Sequence, residues 1–300
     1  MEQAYLSLVW WNTSLSPPTS KSKKEKFKIP KCERIIHCGK IIRQFMDFGY
    51  DFICLAEVSS NDIDSIIEQV NIADSNYTYI SGYQKLGNMI FDTCILFNKN
   101  FELNTDATQV RNLVYSSSDR KVKTGQRFEF YLPCIKNTLV LYLSHWPSRQ
   151  SADDALYNSI AQDLRGAVNS DLLLSHSVVL LGDYNVEPHH TSIITGLQAS
   201  REKDLVRYRR NLLYNPCWKF LSVNQHAPDQ RNRSGTYHLR KTGLFNDWHM
   251  IDQILISKDF LSKTWNFRDS YVDIIDTNST LNDPISDHLA ISILIERAQK

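Results

Sequence analysis

What most constrains this chain is a series of short apolar runs that each end at or beside a polar residue. They are Tyr5–Trp11, Phe52–Glu57, Thr93–Phe97, Leu139–His145, Val178–Asp183, Met250–Ile256 and Ala290–Ile295. Runs of this length, rich in β-branched and aromatic side chains and bounded by polar clusters, read as strands. Helical patterns lie among them. Glu33–Phe48 carries Ile35, Ile36, Ile41, Ile42, Phe45 and Met46 and stops at Gly49. Asp62–Val70 predicts a short helix. Ala152–Leu174 predicts a longer one, with Leu156, Ile160, Leu164 and Val168 four residues apart. Strands that are buried on both faces and alternate with helices predict a layered α/β architecture, two mixed sheets with helices outside.

Composition narrows the function classes. With 42% hydrophobic and 22% charged residues the chain has ordinary globular chemistry. A net charge of +1 excludes a polycation that holds nucleic acid by charge alone. No apolar run reaches the roughly 18–20 residues that span a bilayer, and the N-terminus lacks the pattern of a signal peptide, so a cytoplasmic protein is expected. The cysteines (Cys32, Cys38, Cys54, Cys94, Cys134 and Cys217) show no metal-like spacing and read as reduced thiols.

Two segments depart from the strand and helix pattern. Residues 13–31 contain Ser-Pro-Pro-Thr-Ser-Lys-Ser-Lys-Lys-Glu-Lys and read as a mobile basic loop. Residues 201–241 hold ten Lys or Arg against three Asp or Glu, interleaved with Tyr208, Tyr214, Trp218, Phe220 and Tyr237. That mixture suits a surface that grips phosphates and stacks bases. It equally suits a solvated loop whose aromatics anchor it to the core.

The polar residues delivered by the runs form the candidate site. Val178-Val-Leu-Leu-Gly-Asp-Tyr-Asn185 places Asp183 and Asn185 on one face of an extended backbone, because side chains two apart share a face. Asn12 follows the first run, Glu57 ends the second and His145 the fourth. Asp252 lies inside Met250-Ile-Asp-Gln-Ile, and Asp287 and His288 precede the last run. Each alone also reads as a turn former or a satisfied core residue, although an acid among Ile251, Ile254 and Ile256 needs a partner if buried. Together they support phosphoester hydrolysis. Asn12, Glu57 and Asp287 are oxygen donors suited to a hard ion, Mg²⁺ or Mn²⁺. His145 and His288 are candidate electrophiles or acids, and Asp183 is placed to orient and deprotonate water. No phosphate loop, nucleophile elbow or zinc helix competes with that chemistry.

In their order along the chain, Asn12, the Glu57 strand, Ser144-His-Trp-Pro, Gly182-Asp-Tyr-Asn, Ile251-Asp-Gln-Ile-Leu and Ser286-Asp-His resemble the endonuclease/exonuclease/phosphatase (deoxyribonuclease I-like) superfamily. The resemblance runs from about Ser7 to Ile295. It implies a four-layered α/β sandwich of two mixed β-sheets packed face to face with helices outside, as a single domain over residues 1–300. It implies that Glu57 is the principal metal ligand, with Asn12 and Asp287 completing the metal environment. Asp183 resembles the water-activating aspartate, and Asn185 the amide that holds the phosphate or that aspartate. His288 resembles the histidine that contacts the scissile phosphate, oriented by Asp252. His145 resembles the histidine of the deoxyribonuclease I branch, with Asp92 as its acid, and Arg127 a phosphate-contacting arginine. Two positions depart from the pattern: Ala56 stands where glutamine is usual, and Ser14 where repair-type members have aspartate.

The expected activity is that of a divalent-metal-dependent nuclease with DNA or RNA as its partner and substrate. The same fold leaves open a phosphatase or phosphodiesterase of a small or lipid phosphoester, of the inositol phosphate or sphingomyelinase kind, and a catalytically inactive binding protein.

Overall fold

A computed structural model describes residues 5–17, 27–103, 110–222, 234–239, 248–278 and 283–298. In chain order its elements are β1 (Tyr5–Asn12), α1 (Lys31–Asp47), β2 (Phe52–Ala56), α2 (Ser60–Gln69), β3 (Tyr77–Ser81), β4 (Gln84–Leu86), β5 (Met89–Phe91), β6 (Cys94–Asn98), β7 (Glu102–Leu103), β8 (Arg111–Ser116), β9 (Lys121–Leu132) and β10 (Asn137–His145). There follow α3 (Asp154–Leu173), β11 (Ser177–Asp183), β12 (Ala199–Ser200), α4 (Lys203–Tyr208), β13 (Leu213–Tyr214), β14 (Tyr237–His238), β15 (Trp248–His249), β16 (Asp252–Ser257), β17 (Trp265–Ile275) and β18 (Ala290–Arg297). The described residues form two compact units, a smaller one of Ser7–Asn100 with Ile274–Ser292 and a larger one centred on Phe101–Asp273.

In the smaller unit, β1 runs parallel to β2, with Asn12 opposite Ala56, and β6 pairs antiparallel with both β2 and β3. These strands belong to a six-stranded sheet in the order β17-β18-β1-β2-β6-β3. Alternate residues of the inner strands (Val9, Trp11, Ile53, Leu55, Leu96) pack on the apolar stripes of α1 and α2, from Ile42, Phe45 and Met46 to Ile63 and Ile66. The helix ends follow from local chemistry. The Ser59 side chain accepts from the Asp62 N–H in a capping box at the start of α2. Gly49 ends α1 with φ +79°, a conformation that side chains resist.

In the larger unit, eight strands run in the order β12-β13-β16-β11-β10-β9-β7, with β8 added against β9. The β10–β11 pairing is parallel, and the flanking pairings of β9 and β16 are antiparallel. Helix α3 lays Ile160, Leu164 and Val168 on Val140, Tyr142, Val178 and Leu180. Each fully buried aliphatic of this kind contributes about 1.5–3 kcal/mol before the entropy of ordering it. Asp153 caps the helix by accepting from the Leu156 N–H.

The class is therefore α/β, with mixed sheets and helices. The three anticipated helices and the seven apolar runs all appear at shifted ends: β2 stops at Ala56, and β16 begins at Asp252. The longest of the strands outside those runs are β9 and β17. Their outward residues are polar, as the mixed burial along Trp265–Ile275 shows, so neither reads as a continuous apolar run. Of the two segments singled out by charge, residues 18–26, 223–233 and 240–241 lie outside the described residues. Among the described residues no helix is long and apolar enough to cross a membrane.

Candidate active site

The larger unit gathers its polar residues by register. His145 stands opposite Asp183 across β10–β11, and Asp183 opposite Asp252 across β11–β16, so three adjacent strands present them on one face in one row. Carboxylate atoms of Asp183 and Asp252 come within 4.8 Å of each other. The row depends on Gly182. A β-carbon there would lie 2.5 Å from the carbonyl oxygen of Ser144, so any side chain would push β10 and β11 apart. On its other side Ser144 donates to the Thr124 carbonyl at 3.0 Å.

Beyond the strand the backbone turns sharply. Asn185 has φ +56°; its N–H donates to Asp183 Oδ1 at 3.0 Å, and its side-chain amide donates to the Trp146 carbonyl at 2.9 Å. Asn185 thus fixes the Asp183 carboxylate from behind. Asp252 is fully buried and receives the Thr236 hydroxyl at 2.7 Å, which is one partner that its surroundings demand. Thr236 lies next to Gly235, where a β-carbon would meet the His249 backbone at 2.5 Å.

The smaller unit gathers its residues on turns. Glu57 follows β2 with φ +55°, and the Asn12 amide donates to its Oε1 at 3.2 Å. The Asn12 oxygen accepts the Ser14 N–H at 3.0 Å, so Asn12 orients Glu57 and shapes the turn after β1. Ser14 donates to Asp287 Oδ1 at 2.5 Å. Ser286 donates to the Asn12 carbonyl at 2.8 Å and accepts the His288 N–H at 3.0 Å. Trp11 donates from its indole to the His288 carbonyl at 3.2 Å. His288 is buried, as is Asp92, whose carbonyl accepts the Val58 N–H. Glu57 and Asp287 offer hard carboxylate oxygens close to amide and hydroxyl groups that orient them, a donor set that fits Mg²⁺ or Mn²⁺.

Arg127 is the residue expected to contact phosphate. It stands opposite Tyr142, three residues and roughly 10 Å along the strand before the His145 row. Its Nε and terminal nitrogen donate to both oxygens of Asp171 at 2.9 and 2.7 Å, and to Glu129 at 2.7 Å. Burial works against the Asp171 charge, but hydrogen bonds from Arg127, Tyr142 and His176 outweigh it and hold the carboxyl below its usual range. Burial likewise opposes the Arg127 charge, and the same pairing raises its pKa. Arg127 is a structural ion pair on the α3 side of the sheet.

The residue that sequence reasoning missed is Lys123, whose ammonium lies 3.5 Å from His145 Nδ1. A bulge between Gly125 and Lys123, opposite Leu113 and Val114, breaks the alternation of β9 at this point. No pattern in the sequence marks that bulge. In the basic segment, Lys203 pairs with Asp269 at 2.6 Å and Arg207 with Asp204 at 2.6 Å. Lys219 donates to the Asp269 and Val272 carbonyls. Arg201 pairs with Glu202 at 3.3 Å and also lies over the Trp218 ring, 5.4 Å from its centroid. The described part of this segment is therefore largely engaged with the unit that carries it.

Polar residues at strand ends and on the following turns are thus carried by mixed sheets with helices, an α/β fold. Residues 17–282 match the model of the Endonuclease/Exonuclease/phosphatase family, and the chain belongs to that family. Its members are hydrolases acting on phosphoester bonds. Solved structures agree on the fold. The human Nocturnin catalytic domain with bound sulfate superposes with a TM-score of 0.63 at 16% identity, covering 99% of this chain and 97% of that one. A Bacteroides thetaiotaomicron protein of the family gives 0.63 at 12%, covering 98% of each. D. rerio TDP2 complexed with single-strand DNA product gives 0.60 at 13%, covering 98% and 100%. No curated protein matches this chain in sequence.

Proposed function

We propose that the chain is a divalent-metal-dependent nuclease that cleaves DNA or RNA phosphodiester bonds with an activated water, and that the whole chain acts as one domain over residues 1–300. The observation that carries this reading is the row of His145, Asp183 and Asp252 at the aligned ends of three strands. Asp183, its carboxylate fixed by the Asn185 N–H, orients the attacking water and takes its proton. His145 and His288 supply proton donors to phosphoryl oxygens. Asp252 is the buried acid of the set, and Asp92 the supporting acid for His145. Glu57 and Asp287 hold the ion, and Asn12 orients Glu57 through its amide. When bound, Mg²⁺ or Mn²⁺ stabilises charge developing on the non-bridging oxygens. Lys123 takes the cationic role for which Arg127 is too far along the strand.

Nucleic acid is favoured because TDP2 is complexed with single-strand DNA product, and because Arg201 and Trp218 together offer a stacking surface. A smaller phosphoester is the second reading, favoured by the internal pairing of Lys203, Arg207 and Lys219. The test is a panel of plasmid, single-stranded DNA, RNA and inositol phosphates with added Mg²⁺ or Mn²⁺. Cleavage of a polynucleotide is expected. Intact polynucleotides alongside phosphate released from inositol phosphates would replace the nuclease reading with the second.

A further inference from the structure

We propose that Ser14, clamped by Arg34, is a positioning residue that presets the Asp287 carboxylate for a divalent cation; this rests on the reading of Asp287 as a cation ligand. Ser14 is buried and its backbone is left-handed, with φ +53°. Its hydroxyl reaches Asp287 Oδ1 at 2.5 Å and Ser286 Oγ at 2.9 Å. A carboxylate only accepts, so the single Ser14 proton goes to Asp287, and the contact with Ser286 must use the Ser286 proton. That proton is also offered to the Asn12 carbonyl at 2.8 Å. The Ser286 hydroxyl accepts the His288 N–H as well, so one hydroxyl pair joins the turn after β1 to the turn carrying Asp287 and His288.

Arg34 closes the same two turns from α1. Its terminal nitrogen donates to the Ser14 carbonyl at 2.7 Å and the Thr13 carbonyl at 3.3 Å, and its Nε donates to the Ile285 carbonyl at 2.7 Å. A guanidinium is a rigid planar fork, so it fixes both turns at once where an ammonium would fix one. The Asp287 carboxylate is then held from its Oδ1 side by a charge-assisted hydrogen bond, and its backbone is held on both flanks. The ion meets a carboxylate that is already oriented, and the entropy of ordering it is not lost on binding. Groups that orient metal ligands in this way typically contribute 10–100-fold in metal affinity.

The experiment is a Mn²⁺ titration of the full chain, reading free Mn²⁺ by electron paramagnetic resonance, with melting temperatures recorded in parallel. Ser14→Ala and Ser14→Gly both remove the hydroxyl, but glycine relaxes the left-handed backbone and alanine does not. Ser14→Thr keeps the hydroxyl at a strained position. The dissociation constant is expected to rise about 10-fold in both Ser14→Ala and Ser14→Gly and to stay near wild type in Ser14→Thr, whatever their melting temperatures. Mn²⁺ affinity that follows melting temperature, or that is unchanged in Ser14→Ala while Glu57→Gln loses it, overturns the inference and leaves Glu57 as a ligand. A wild-type chain that binds no Mn²⁺ overturns the cation reading itself.

Discussion

His145, Asp183 and Asp252 stand in one row because three strands are in register, whereas Glu57, Ser14 and Asp287 stand on turns shaped by hydrogen bonds and left-handed backbone. In the first region, moving one residue means slipping a strand, which would turn a whole apolar face outward. In the second, a single hydroxyl or amide sets the geometry. The difference separates the tasks the two regions suit. On the proposed reading, a row fixed by register would keep proton-transfer groups at constant spacing, and turns clamped by hydrogen bonds would present carboxylates already oriented for an ion.

The comparison breaks first at a residue held by the sheet but distant from the row. Arg127→Met leaves Asp171 buried without its cation and should cost about 3–5 kcal/mol of stability in chemical denaturation. Substrate KM should be unchanged, and a raised KM in a folded variant would return Arg127 to phosphate contact. Within the row, Asp183→Asn keeps the acceptor for the Asn185 N–H and should lower kcat by ~10²-fold or more, about 2.7 kcal/mol in the barrier. Its Mn²⁺ titration should match wild type. On the turns, Glu57→Gln should instead raise the half-saturating Mn²⁺ concentration by about 10-fold or more. An unchanged titration would remove Glu57 as a ligand and dissolve the contrast between the regions.

The smallest effect concerns acid stability. Burial opposes the Asp62 charge, but hydrogen bonds from Lys31, Ser16 and Ser59 outweigh it and lower its pKa, as Asp171's is lowered. A carboxyl with a depressed folded-state pKa stabilises above its unfolded value, near 3.8, and that stabilisation is lost as pH falls through the folded value. Melting temperature should therefore drop on acidification below about pH 4, and Asp62→Asn and Asp171→Asn should each flatten that drop. Asp259, raised by burial, acts in the opposite direction.

Much of the row is legible in the sequence, since an apolar strand that ends in Gly-Asp-Tyr-Asn has a fixed face and a fixed end. The need for Gly182 is not, because it comes from Ser144 on a neighbouring strand. The setting of Arg127 is hidden in the sequence for a related reason. Its order in the chain gives no register, and only the pairing with Tyr142 sets its distance from the row. Lys123 was missed because the bulge in β9 breaks the two-residue period that makes strands readable. Ser14 reads in the sequence only as a departure from the expected aspartate; its link to Asp287 spans 273 residues of chain.

By itself the sequence determined the α/β class, the helices and apolar strands, and which polar residues end them. Those follow from local periodicity and from turn chemistry within a few residues. The tertiary structure decided which strand ends stand side by side, where Arg127 spends its charge, and how Ser14 and Arg34 hold the turn before His288. These outcomes depend on register and on contacts between residues far apart in the chain, which local periodicity does not carry.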